Sequence, residues 1–138
     1  MDADSALKKE KPLVIFYDCC MPQNGFEAVL RRAIPFADHV FVQNDKRFRK
    51  KMLRNDKLLF KRIAEVHVKE YMGKVCLFVT YDEDFRGERG RKKVKNHPAF
   101  NTLIKVLWFH KADSPVQKEI LKEKIVSAAK KHLTAAKV

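Results

Sequence analysis

Apolar residues recur along this chain with two different periods, and the alternation between them predicts its architecture. Leu13-Val14-Ile15-Phe16-Tyr17 is an unbroken run rich in β-formers, opened by Pro12 and closed by Asp18. A strand buried on both faces has this pattern. The turn-like Met21-Pro22-Gln23-Asn24-Gly25 follows, and Phe26, Val29, Leu30 and Ala33 then recur at helical spacing until Pro35 stops them. Val40-Phe41-Val42 predicts a second strand, closed by Gln43-Asn44-Asp45, with Asp45 placed to cap a helix that starts at Lys46. That helix gathers Phe48, Met52, Leu59, Ile63 and Val66 on one face, with Asn55-Asp56 as a kink or re-capping point and Gly73 at its end. Residues 75–81 predict a third strand and residues 103–109 a fourth. Ser114-Pro115-Val116-Gln117 has the N-cap, first-turn proline and glutamine of a helix start, and Ile120, Ile125, Ala128, Ala129 and Leu133 give the closing helix its apolar stripe.

The order β-α-β-α-β-β-α predicts a single three-layer α/β domain over residues 12–138, behind a basic arm at 1–11 and carrying a basic loop at 86–96. Right-handed crossovers should make the first three strands parallel. The fourth is expected to join as the antiparallel partner of the third, giving a mixed sheet of about four strands.

Composition narrows what such a domain could bind. The 138 residues carry a formal charge of +13, while 46% are hydrophobic, so the excess of cations belongs to a chain able to fold. A field of that sign attracts phosphates. No apolar run reaches the roughly 18 residues that span a bilayer, and Met1-Asp2-Ala3-Asp4-Ser5 lacks a secretory pattern, so an intracellular protein with no membrane partner is expected. Cys19 and Cys20 are adjacent and Cys76 stands alone, an arrangement that suits a reducing compartment, mitochondrial, cytosolic or nucleolar.

The cations fall into two segments. Lys46, Arg47, Arg49, Lys50, Lys51, Arg54, Lys57, Lys61 and Arg62 face a single acid, Asp56, which departs from the mixed i,i+4 pairing of an ordinary solvated helix face. Arg86, Arg89, Arg91, Lys92, Lys93 and Lys95 alternate with Gly87 and Gly90 in the loop after the third strand, combining flexible backbone with planar guanidinium forks. Both point to phosphate-backbone contacts. RNA is preferred to DNA because no helix-turn-helix, zinc-finger or zipper pattern is present. Phe85 and Phe100, flanking the loop, are the aromatics placed to meet a base. Phe16, Phe26, Phe48, Phe60, Phe78 and Trp108 are expected in the core.

Three other readings stand beside this one. Asp18, Asp45, Asp82, Glu83 and Asp84 follow strands, where carboxylates of an open α/β sheet could hold Mg²⁺ for phosphodiester cleavage, although Asp is also the usual turn residue there. Cys19 or Cys20 could be a thiolate nucleophile at the start of the first helix, or simply a small buried residue. The charge could also serve an adaptor for an acidic protein surface. No zinc-ligand spacing links the histidines and no glycine-rich phosphate loop opens a helix, so neither metal nor cofactor is expected.

The element order, with Cys20-Met21-Pro22-Gln23 after the first strand, resembles the thioredoxin-like fold, whose C-x-P-C motif occupies that junction. Gln23 stands in place of the second cysteine, so the resemblance implies a redox-inactive version, as in some small basic mitochondrial ribosomal proteins. The sequence thus leads to a non-enzymatic RNA-binding component of a ribonucleoprotein. A ribosomal protein is expected, held against rRNA backbone and neighbouring proteins, with no tendency to homo-oligomerise.

Overall fold

A computed structural model describes residues 11–18, 25–87 and 104–137. Its elements are β1 (Leu13–Tyr17), α1 (Phe26–Ala33), β2 (Ala37–Phe41), α2 (Lys50–Leu53), α3 (Asp56–Glu70), β3 (Val75–Thr80), β4 (Ile104–Trp108) and α4 (Pro115–Lys137). Single 3₁₀ turns at Val42–Asn44 and Glu83–Phe85 follow β2 and β3.

The strands form one four-stranded sheet in the order β2-β1-β3-β4. Every neighbouring pair is parallel, including β3 with β4, where Cys76 faces Ile104 and Thr80 faces Trp108. The expected mixed sheet is therefore corrected: the fourth strand is parallel to the third. The connection over residues 81–103 exceeds the dozen or so residues that a crossover needs, whereas an antiparallel hairpin would need only a short turn. The predicted α/β class and the parallel β1-β2-β3 core stand.

Strand alternation divides the core in two. Leu13, Ile15, Tyr17, Leu77 and Val79 point to one face, where Phe26 and Leu30 of α1 and Leu121, Ile125 and Ala129 of α4 cover them. Val14, Phe16, Cys76, Phe78 and Ile104 point to the other, under Leu59, Phe60, Ile63, Ala64 and Val66 of α3. This is the expected three-layer arrangement, and it explains why β1 reads as a continuous apolar run: each of its residues is buried.

The cationic segment becomes helical later than its pattern suggests. Asp45 does not cap a helix at Lys46; its carboxylate accepts from the backbone N–H of Arg47 within a turn, and α2 begins at Lys50. The re-capping expected at Asn55 occurs, with Asn55 Oδ1 accepting from the backbone N–H groups of Lys57 and Leu58 at 3.1 and 3.2 Å. At the other end Gly73 has φ +88°, the left-handed conformation that favours glycine after a helix. In α4, Ser114 Oγ accepts from the N–H of Gln117 and the Gln117 side chain accepts from the N–H of Asp113, so the predicted helix start is built as read.

Candidate nucleic-acid interface

Because all four strands run the same way, their carboxyl ends share one edge of the sheet, and the segments that leave it are brought together. Sheet order reverses between β1 and β3, since β1 leads to β2 on one side and β3 leads to β4 on the other. Such a reversal opens a crevice at the carboxyl edge, where ligands of open α/β sheets bind. Asp18 and Thr80 stand on either side of it. Thr80 Oγ1 donates to Asp18 Oδ2 at 2.7 Å and accepts from the Asp82 backbone N–H at 3.1 Å, which fixes the two strand ends relative to each other.

The α3 side of this edge carries the cations. The first turns of α3 are anchored there by Phe60, whose ring lies 4.7 Å from Phe85 and 5.9 Å from Phe78. Lys61 follows Phe60 and Lys57 lies one turn before it, while Arg86 follows Phe85, so this packing joins the cationic start of α3 to the first residue of the second basic segment. Among the described residues, none of Lys46, Arg49, Lys50, Lys51, Arg54, Lys57 and Lys61 takes part in an ion pair, and all are exposed. Their charge is left to the solvent.

Two members of the same run behave differently. Arg47 donates to both carboxylate oxygens of Asp45 at 2.9 and 2.8 Å and to Glu70 at 2.9 Å, and lies 5.8 Å from the ring centre of Tyr71. These interactions hold the Asp45 carboxyl below its usual range, the hydrogen bonds from Arg47 being the main cause. Arg62 donates to the backbone carbonyl of Arg47 at 2.8 Å and pairs with Glu65. Arg47 and Arg62 therefore tie the turn after β2 to α3. Arg47 belongs to the frame that presents the remaining cations.

Of the loop, Arg86 is described, while Arg89, Arg91, Lys92, Lys93 and Lys95 lie outside the described residues, as do Phe100, Cys19, Cys20 and the Cys20-Met21-Pro22-Gln23 motif. Phe85, expected to meet a base, is instead 3% exposed and closes the aromatic cluster with Phe60 and Phe78. Trp108, expected in the core, is only partly buried at the end of β4, and the Arg86 guanidinium carbon lies over its ring, 4.5 Å from the centre. The signal for this exchange is the register: Trp108 pairs with Thr80, the last residue of β3, so its ring projects at the sheet's end.

A scan against protein-family models and searches of curated proteins and solved structures return no match.

Among the described residues no group of three or more His, Cys, Asp or Glu could hold a metal ion. Cys76 is buried under α3, and burial pushes its thiol well above the ordinary range, so it is a packing residue. No described helix is long and apolar enough to cross a membrane. The corner formed by α3, the end of β3 and the end of β4 thus combines cations outside any described ion pair with a partly open indole and guanidinium. That combination suits a phosphate backbone carrying bases.

Proposed function

We propose that the protein binds RNA as a structural component of a ribonucleoprotein, a ribosomal protein being the leading case. The observation that carries this reading is the division of labour within residues 46–66. Phe48, Leu59, Phe60, Ile63, Ala64 and Val66 are committed to the sheet, whereas Lys46, Arg49, Lys50, Lys51, Arg54, Lys57 and Lys61 are exposed without described counter-ions. Cations held by a segment packed on the sheet, with no described counter-ion, can neutralise successive phosphates at little ordering cost. The proposed contact set is Lys46, Arg49, Lys50, Lys51, Arg54 and Arg86, continued by Arg89, Arg91, Lys92, Lys93 and Lys95.

Fractionation of a lysate tests the assembly. The protein should sediment with a large particle and be released when RNA is digested. Sedimentation unchanged by nuclease would instead favour an adaptor held by an acidic protein surface.

A second reading, metal-assisted phosphodiester cleavage, is favoured by one specific observation: the strand order brings Asp18 and Asp82 to the switch-point crevice, joined through Thr80. Two carboxylates there could share a divalent cation with a scissile phosphate, the cation stabilising the charge that develops on its oxygens. Incubation of labelled RNA with Mg²⁺ separates the readings. Cleavage by the wild type that disappears in Asp18→Asn supports the enzyme, and intact RNA in both removes it.

A further inference from the structure

The surroundings of Trp108 are those of a presented ring. Its Nε1–H donates to the Asp82 carbonyl at 3.0 Å, which fixes the indole against the turn that follows β3. The guanidinium of Arg86 lies over the ring, and the Arg86 side chain remains 52% exposed, its described ion pair being a 3.5 Å approach to the still more open Glu83. His110, exposed just beyond β4, sets its ring edge-on at 4.7 Å and 77°. A tryptophan that served only the core would be sealed by aliphatic side chains. Here the indole packs on the core beneath α3 and its outer cover is a planar cation whose side chain is half exposed.

We propose that Arg86 and Trp108, flanked by His110, form a stacking site for an unpaired nucleobase, so that the protein takes single-stranded RNA in preference to duplex. The base stacks on the solvent side of the guanidinium, completing a base, guanidinium and indole sandwich. Lys57 and Lys61, on the turns of α3 around the Phe60 ring that packs against Phe85, hold the adjoining phosphates. Duplex RNA cannot use the site, because its base faces are already stacked on one another and only its backbone and groove edges are open. The inference rests on the RNA-binding reading above and adds the form of RNA recognised.

The chain has one tryptophan, so its fluorescence reports this site alone. A short single-stranded uridine oligonucleotide should change Trp108 emission with the same midpoint as its binding measured by anisotropy. A duplex of equal length should bind more weakly and leave the emission unchanged. Trp108→Ala should lower single-strand affinity about tenfold with duplex affinity unaltered, Arg86→Ala should lower single-strand affinity by more than it lowers duplex affinity, and Trp108→Phe should restore most of the loss. If Trp108→Ala fails to fold, Arg86→Ala and the wild-type emission decide. Equal binding of both RNAs with unchanged emission would overturn the stacking site and leave the RNA-binding reading standing. Failure of both RNAs to bind would overturn the stacking site and the RNA-binding reading together.

Discussion

Arg47 and Lys50 belong to one cationic run and have opposite surroundings, so their substitution should separate folding from binding. Arg47→Ala removes the ion pairs to Asp45 and Glu70 and should cost about 1–3 kcal/mol of stability in a denaturant melt. Lys50→Ala should leave stability within about 0.5 kcal/mol while weakening RNA binding, since its ammonium group is exposed on the outer side of α2. The opposite pattern would remove the distinction between frame and contact residues. A sequence shows the charge of both but not the carboxylate that one of them meets, because Glu70 reaches Arg47 only after α3 has folded back. The same limit exchanged Phe85 for Trp108: a place beside the basic loop suggests an open Phe85 and hydrophobicity a buried Trp108, and only the sheet's end decides which ring remains open. His39 offers a second test at this scale. Its Nδ1 accepts from the Tyr17 hydroxyl at 2.8 Å and its Nε2–H donates to the Ile34 carbonyl at 2.9 Å, a buried neutral imidazole. Burial is the main cause that lowers its pKa from 6.5, opposed by the Ile34 carbonyl and by Asp38 and reinforced by Arg31 and Lys11. The unfolded chain then takes up the proton first, so stability is full above about pH 6.5 and falls as the pH drops toward the folded pKa. His132, lowered by its own partial burial and by Lys131 and Lys105, acts in the same direction. Urea midpoints should be lower at pH 5.5 than at pH 7.5, and His39→Gln should shrink the difference; equal midpoints would refute a buried neutral His39.

Local patterns mark most of the element boundaries, because the forces that set them are local. Pro35 ends the α1 pattern, Asn55 re-caps the chain into α3, and Ser114 with Gln117 opens α4; each is a nearby side chain satisfying or denying a backbone group. Asn55→Ala removes the acceptor for two N–H groups and should cost about 1 kcal/mol, while Asn55→Asp should recover most of it, as measured by chemical denaturation. No loss in the alanine variant would mean that packing of Leu59 and Ile63 alone defines where α3 begins. The direction of β4 is not legible in the same way. Five residues of strand carry no mark of polarity, and the loop's charge suggests a solvated hairpin although its length permits a crossover. That one reversal turns a mixed sheet into a parallel one and moves the end of β4 to the edge that holds Asp18, Thr80 and Asp82.

At the scale of the molecule, parallel order and net charge combine. With every strand ending on the same edge, the cationic first turns of α3, the beginning of the basic loop and the Trp108 platform share one corner, and the formal charge of +13 gives that corner a long-range pull on phosphates. The measurement that tests this most directly is filter binding of single-stranded RNA across a salt series, comparing wild type with a variant in which Arg49, Lys50, Lys51, Arg54 and Lys57 are changed to Gln. Wild-type affinity should fall steeply and linearly in log–log form. The variant should bind more weakly with a shallower slope, by about 0.7 for each phosphate no longer neutralised. A shallow wild-type slope, or a variant whose affinity and slope match the wild type while it remains folded, would contradict the claim that these outward-facing cations are the RNA-binding surface.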